Sequence, residues 1–421
     1  MSSAPPPIAF VMLHTSPLDV PGTKDAGGMN VVVRAQAEAL ARSGQEVRIF
    51  TRRSSPDAEV RVELAPRLTV VHLDAGPARL LPKGEHEQVM GEFERALAAE
   101  IAREPVRLLH AEHWFSGIAA LPVARAAGVP LVQSFHSIAA DADSPLSAGE
   151  RPESPGRLEG ERRLAQEADL VIAVSEAERA TVLERLGGDP ERVVVVPLGV
   201  DTELFHPCAT AECAEQRDWL ARGGRPEVLV VGRLHPLKGF DLAIDAVAAI
   251  PRDRRPALRI TGSPPPDGDE YARTLHETVV ARGMLSTTSF DGALRRSELA
   301  ERVRAAAVVL VPSHSETFGL VALEAAASGV PVIARATGGL HEAVRDGETG
   351  TLITGDDPLR WAAEIERLLG DADLAARMGS AARRHARRHS WAASAERLLN
   401  AYETVRPRAS VDGDGAHASR R

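Results

Sequence analysis

The chain has 421 residues, which at roughly 150 residues per domain points to two or three domains and excludes a single small module. Lysine and arginine total 50 against 59 aspartates and glutamates, a net charge of -9, so there is no overall positive field to attract nucleic acid or an anionic lipid surface. With 44% hydrophobic and 26% charged residues, the composition is that of an ordinary folded chain and excludes a disordered, collagenous or membrane-bundle protein.

Residues 1–7 carry no basic residue ahead of the apolar run 8–13, so they do not read as a secretory signal and a cytoplasmic location is expected. No apolar run approaches the roughly 18 residues that a membrane span needs. Cys208 and Cys213 are too few for a disulfide framework and have no histidine pair at zinc spacing. Short β-branched runs alternate with alanine-rich stretches of helical length, the pattern of βα units around parallel sheets covered on both faces. In the first half, strands are expected over 8–14, 47–51, 68–72, 107–110, 131–134, 170–174 and 193–196. Residues 141–155 are polar and proline-rich and read as a long mobile loop of the kind that carries function. The stretch 197–207, with a proline at each end, places the boundary near residue 200. A second sheet is expected from strands over 227–231, 258–261, 288–290, 308–311 and 331–334. The class is therefore α/β, with two Rossmann-like halves over 1–200 and 201–387. From Ser390, a plausible N-cap, Trp391, Ala395, Leu398 and Tyr402 recur at helical spacing, so residues 388–405 should form a helix that docks back towards the first half. Residues 406–421 read as a disordered tail.

Three local signals carry chemistry. Ser315-Glu316-Thr317-Phe318-Gly319-Leu320 follows the strand 308–311 and runs into a helix over 319–328. A helix start at the carboxyl edge of a parallel sheet offers unpaired N–H donors and a partial positive charge to a sugar hydroxyl or phosphate oxygen. Gly319 removes a side chain that would block approach, and Glu324 in the second turn suits the two vicinal hydroxyls of a ribose. An alanine-rich packing helix with two solvated glutamates is the competing reading. The second signal, Gly232-Arg233-Leu234-His235-Pro236-Leu237-Lys238-Gly239, puts two cations beside one crevice, as the departure of a diphosphate requires; a surface Arg and Lys near a turn is the alternative. The third, Thr23-Lys24-Asp25-Ala26-Gly27-Gly28-Met29-Asn30, leads into a helix over 30–41, and its paired glycines let backbone approach a ligand. It is neither a P-loop nor a dinucleotide fingerprint.

His14, His110, His113 and His136 lie near expected strand ends, where side chains converge on a crevice, and each is also compatible with packing alone. The acidic strings Asp141-Ala142-Asp143 and Asp267-Gly268-Asp269 lack supporting ligands and read as solvated acids, so no metal site is expected.

Together these residues resemble the retaining glycosyltransferases of family 4, which have the two-domain GT-B fold with the active site in the interdomain cleft. The likeness covers about residues 8–405, and Glu316 to Glu324 matches that family's E-x7-E signature. Within the family, the runs His14-Thr15-Ser16-Pro17 and Asp25-Ala26-Gly27-Gly28-Met29-Asn30 are similar to a branch that glycosylates inositol phosphate. The resemblance implies that Arg233 and Lys238 hold the donor diphosphate, that Glu324 holds the ribose, and that Glu316 holds the transferred sugar with the backbone of Phe318, Gly319 and Leu320. Gly27 and Gly28 would approach the diphosphate from the other half, and Leu294 would lie near the nucleobase. His136 would meet the sugar near the reacting carbon, while His14, Asn30, Lys83, His113, Ser137 and Arg157 would face the acceptor. The implied substrates are a UDP- or GDP-sugar and a cyclitol, aminocyclitol, inositol phosphate or small thiol, in a pathway of secondary metabolism such as antibiotic biosynthesis. No cofactor or metal is implied, and a homodimer is compatible with the family. A sugar-nucleotide epimerase on the same architecture is the competing enzyme class. A nicotinamide-dependent oxidoreductase is disfavoured because G-x-G-x-x-G is missing from the first βα turn.

Overall fold

In the computed structural model, which describes residues 5–21, 26–208, 224–265 and 269–406, the β-branched runs form strands buried on both faces. Along β1 (Ile8–Met12), Ile8, Phe10 and Met12 enter one core cluster while Ala9 and Val11 enter another, the alternation that a pleated strand imposes. Seven further strands complete the first sheet: β2 (Val47–Arg52), β3 (Arg61–Ala65), β4 (Leu68–Leu73), β5 (Leu108–Glu112), β6 (Leu131–Ser134), β7 (Leu170–Ala173) and β8 (Val193–Val195). Their order is β3-β4-β2-β1-β5-β6-β7-β8, parallel except for β3, which runs antiparallel to β4 at the edge. The second sheet comprises β9 (Glu227–Val231), β10 (Ala257–Thr261), β11 (Thr288–Gly292), β12 (Val308–Val311), β13 (Val332–Arg335) and β14 (Gly350–Ile353), all parallel in the order β11-β10-β9-β12-β13-β14.

Two strands correct the sequence reading. The edge strand β3 is only half-buried, with Arg61 and Glu63 exposed, and has no continuous apolar run, and β14 is short and opens on a glycine. The segment read as a long loop over 141–155 is mostly irregular. It contains the short helix Leu146–Ala148 and is anchored by the partly buried carboxylates Glu150 and Glu153. The expected tail lies, apart from Arg406, outside the described residues, as do Thr23, Lys24, Asp25, Cys213, Asp267 and Gly268.

Each sheet reverses its winding direction at one point. In the first, the chain builds outwards from β1 through β2 and β4, then returns to add β5 on the other side; in the second, the reversal falls between β9 and β12. Crevices open beyond the carboxyl ends of such neighbouring strands. The loop after β1 carries His14, the helix that follows β5 directly opens on His113, and the loops after β9 and β12 carry Arg233, Lys238 and Glu316.

The chain passes between the two sheets near Val200 and returns near His389. The Val200 N–H donates to the His389 carbonyl at 2.8 Å, and Val200 bridges Ser390. Ser390 caps the helix Trp391–Thr404 by accepting from the Ala393 N–H. That helix lies against the first-half helix Gly28–Arg42, with Gln36 donating to Ser394 at 3.5 Å. His110 bonds the Tyr402 hydroxyl at 2.6 Å and Ser134 at 2.9 Å, so its ring ties the C-terminal helix to the first sheet. No helix among the described residues is long and apolar enough to cross a membrane.

Candidate active site

The loops from both reversal points wall a single cavity of about 330 Å³ between the sheets. It is lined by His14, Gly27, Gly28, Lys83, His113, His136 and Ser137 from the first half, and by Arg233, Lys238, Leu294, Glu316, Phe318, Gly319, Leu320 and Glu324 from the second. Two of the expected site residues lie behind the wall. The Asn30 amide donates to Thr15 and to the Ser16 carbonyl and accepts from the Gly27 N–H at 3.0 Å, so it fixes the glycine turn from below. Arg157 is fully buried within an ion cluster.

On the second-half side, His235 accepts from the Leu237 N–H and caps a short helical turn, Pro236–Lys238, which directs Lys238 towards the cleft. Lys238 Nζ lies 2.7 Å from Glu316 Oε2, and both side chains keep some exposure. Arg233 is likewise partly exposed, with a single long contact of 3.4 Å to Glu150 across the cleft. The helix Leu320–Ala327 starts at Gly319, whose φ of 100° favours glycine. A Cβ there would lie 2.7 Å from Leu340 and 3.2 Å from Ala343, so packing favours glycine here as well as the backbone angle. The Glu324 carboxyl is almost fully buried. Burial raises its pKa, and Arg296, at 2.6 Å, partly offsets that shift.

The first-half side is organised by carboxylates that sequence reasoning did not single out. Glu112, at the end of β5 and wholly buried, receives His136 Nε2 at 2.5 Å and fixes the ring, while His136 itself takes a positive φ of 61°. The Thr317 hydroxyl donates to the His136 carbonyl at 3.1 Å, and Ser175 donates to the Thr317 carbonyl at 2.7 Å, joining the halves beside the cavity. Glu150 lies 3.2 Å from Arg157 and 3.5 Å from Lys83, and accepts from the Ser137 hydroxyl at 3.0 Å. Burial alone would raise the Glu150 carboxyl, but Lys83, Arg157 and Arg233 hold it well below the usual carboxylate range. Burial, followed by neighbouring positive charge, pushes His14 and His113 well below the ordinary imidazole range, so both are neutral at pH 7. Their rings lie tilted against each other with centroids 4.5 Å apart, and neither buried ring nitrogen of His113 has a hydrogen-bond partner.

The residues that escaped notice have specific reasons. Glu112 lies two positions past the expected end of its strand, Arg296 lies two positions past Leu294, and Glu150 sits in a loop whose composition gives no hint of partners from three other segments. Among the described residues, no group of three or more His, Cys, Asp or Glu could hold a metal ion.

Family comparisons agree with this geometry. Residues 26–204 match the model described as Glycosyltransferase Family 4, and residues 213–385 match that described as Glycosyl transferases group 1. The chain is 40% identical to a D-inositol 3-phosphate glycosyltransferase of Frankia alni, covering 95% of this chain and all of that protein. It is also 40% identical to the protein of that name from Kineococcus radiotolerans, covering 98% of each. A sucrose-phosphate synthase from Thermosynechococcus elongatus superposes with a TM-score of 0.85 at 32% identity over 94% of this chain and 98% of that one. HepE of Anabaena, solved with UDP and glucose, shares the fold at a TM-score of 0.75 and 20% identity, over 95% of this chain and all of that one. The choice between transferase and isomerase is thereby decided: the chain belongs to the family 4 glycosyltransferases and is a glycosyltransferase of GT-B fold.

Proposed function

We propose that the enzyme moves a sugar, with retention of configuration, from a nucleoside diphosphate sugar to a hydroxyl of a small polyhydroxylated acceptor inside the cleft. The observation that carries this reading is the shared cavity: Gly28, Arg233 and Glu316, from three distant segments of the chain, line one space. UDP is the favoured carrier because HepE, of the same fold, was solved with UDP and with UDP-glucose. In this reading Arg233 and Lys238 release their carboxylate contacts to take the diphosphate, Glu324 holds the ribose under the grip of Arg296, and Glu316 with the start of the helix Leu320–Ala327 orients the sugar. His136, fixed by Glu112, meets the sugar from the opposite side.

The bond between the anomeric carbon and the phosphate oxygen breaks as the acceptor oxygen bonds to the same face of that carbon. The departing phosphate oxygen takes the acceptor's hydroxyl proton. Arg233 and Lys238 stabilise the charge that develops there, a task worth several kcal/mol in a water-poor site. A covalent glycosyl-enzyme is disfavoured because Glu112 is buried behind His136 and Glu150 is tied into an ion cluster. Thermal unfolding against UDP-, GDP- and TDP-sugars tests the reading. A preferred donor at about 100 times its Kd should stabilise the protein by about 2.7 kcal/mol. If no member of the panel raises the unfolding temperature, the reading fails.

A further inference from the structure

At the nucleotide end of the cavity, Glu324 meets two opposed demands. It lines the cavity although it is almost wholly buried, and a carboxylate at such depth is costly unless a cation accompanies it. Arg296 is that cation: its Nη1 donates to Glu324 Oε1 at 2.6 Å. Among the described residues no other protein group bonds this carboxyl, so Oε2 is the oxygen left for a ligand. Arg296 is partly exposed, lines the same cavity, and is itself held in place. Its guanidinium lies over the Phe205 ring, 4.7 Å from the centroid, inside the reach of a cation–π contact. Phe205 is fully buried, and the chain around it is pinned: Arg383 donates to the Phe205 and Thr202 carbonyls at 2.9 and 3.1 Å, and Arg304 donates to the His206 carbonyl at 3.2 Å.

Stability alone does not account for this pair, because a buried ion pair is often no more stable than well-packed apolar residues of similar volume. The pair sits among the cavity-lining Leu294, Leu299 and Val321, where apolar side chains would pack as well. A guanidinium with one nitrogen on a carboxylate and its face on a fixed ring holds that carboxylate in one direction. We propose that Arg296 is a positioning residue that aims the Glu324 carboxylate at ribose hydroxyls, and that it thereby makes the enzyme choose ribonucleoside diphosphates over their deoxy counterparts. The inference rests on the donor reading above and adds to it a residue outside the Glu316 to Glu324 signature. Arg296 acts through Glu324, so its removal should erase a discrimination between nucleotides rather than weaken all of them alike.

Calorimetric titration with UDP and with 2′,3′-dideoxy-UDP tests this without turnover. A hydroxyl bonded to a charged partner predicts that the wild-type protein binds UDP about 10- to 100-fold more tightly than the dideoxy form. Arg296→Met should reduce that ratio to about fivefold or less, mainly by weakening UDP. Arg296→Lys, which keeps a cation without the planar fork, should fall between the two. In a Glu324→Gln background, adding Arg296→Met should change the ratio no further, because the arginine works only through the carboxylate. A ratio unchanged in Arg296→Met, even with both nucleotides bound more weakly, is what a merely structural role gives and would overturn the proposal. A further fall in the Glu324→Gln background would overturn it too. Should the lone carboxylate keep Arg296→Met from folding, Arg296→Lys decides, and a ratio equal to that of wild type overturns the proposal. Equal binding of UDP and dideoxy-UDP by the wild-type protein removes this inference and leaves the transferase reading standing. If no sugar nucleotide of the panel above stabilises the protein, both are lost.

Discussion

The two ends of the cavity handle charge in opposite ways. At the end proposed for the donor, Lys238 and Arg233 are partly exposed and each has one carboxylate contact, the arrangement the proposed diphosphate role needs. At the acceptor end, Arg157 is fully buried and every nitrogen of its guanidinium is engaged with the protein itself. A cation available to a ligand contributes to catalysis and little to stability; a cation enclosed by carboxylates contributes to stability and nothing to an incoming anion.

That contrast can be broken most sharply at Arg157. Arg157→Met leaves Glu150, Glu153 and Glu161 without their shared cation and should destabilise the protein by about 3–5 kcal/mol, read from its denaturant midpoint. A midpoint equal to that of wild type would show that the buried charges are not mutually dependent. A further buried charge in the same half is Glu178, where burial lifts the carboxyl from 4.5 to about 7 despite a hydrogen bond from the Val174 N–H. Because its folded pKa is raised, the acid contributes stability below pH 4.5 that is lost as pH rises to about 7. Glu178→Gln keeps the acceptor oxygen and removes the titration, so its advantage over wild type should grow across that window to the order of 3 kcal/mol. A gap that does not change with pH would contradict the assignment. At the donor end the effect moves from stability to rate. Lys238→Ala should lower kcat/KM on the order of 100-fold, while the unfolding midpoint shifts by less than about 1 kcal/mol, as for a partly exposed pair. Near-normal turnover would remove Lys238 from the role. The smallest effect is expected at Ser390→Ala, which deletes the cap of the C-terminal helix and should cost about 1 kcal/mol without altering donor affinity.

The same contrast explains what the sequence disclosed. The donor end was legible because its parts are local: Glu316, Gly319 and Glu324 sit on one strand-loop-helix unit, and Arg233 and Lys238 on one turn, so spacing alone brings them together. The acceptor end was legible only as separate residues. Lys83, Ser137 and Arg157 come from different segments, and Glu150, which joins them, belongs to a loop whose proline and acid content resembles any solvated linker. Asn30 was expected to face the acceptor and instead lies buried beneath the glycine turn, since a buried amide and a ligand-facing amide look alike in a sequence. The strand β3 was missed because the exposed Arg61 and Glu63 alternate with half-buried apolar residues, so no apolar run marks it. The central parallel strands, buried on both faces, announced themselves as β-branched runs.

The pairing of Val200 with Ser390 also limits how the enzyme can move. A single covalent tether would let one half swivel freely about the other. Two tethers that run side by side and bond to each other resemble the spine of a book: rotation about the line they share keeps the Val200 to His389 bond, whereas twisting about another axis would break it. The two crossings therefore fix one shared line at which the walls of the cavity meet.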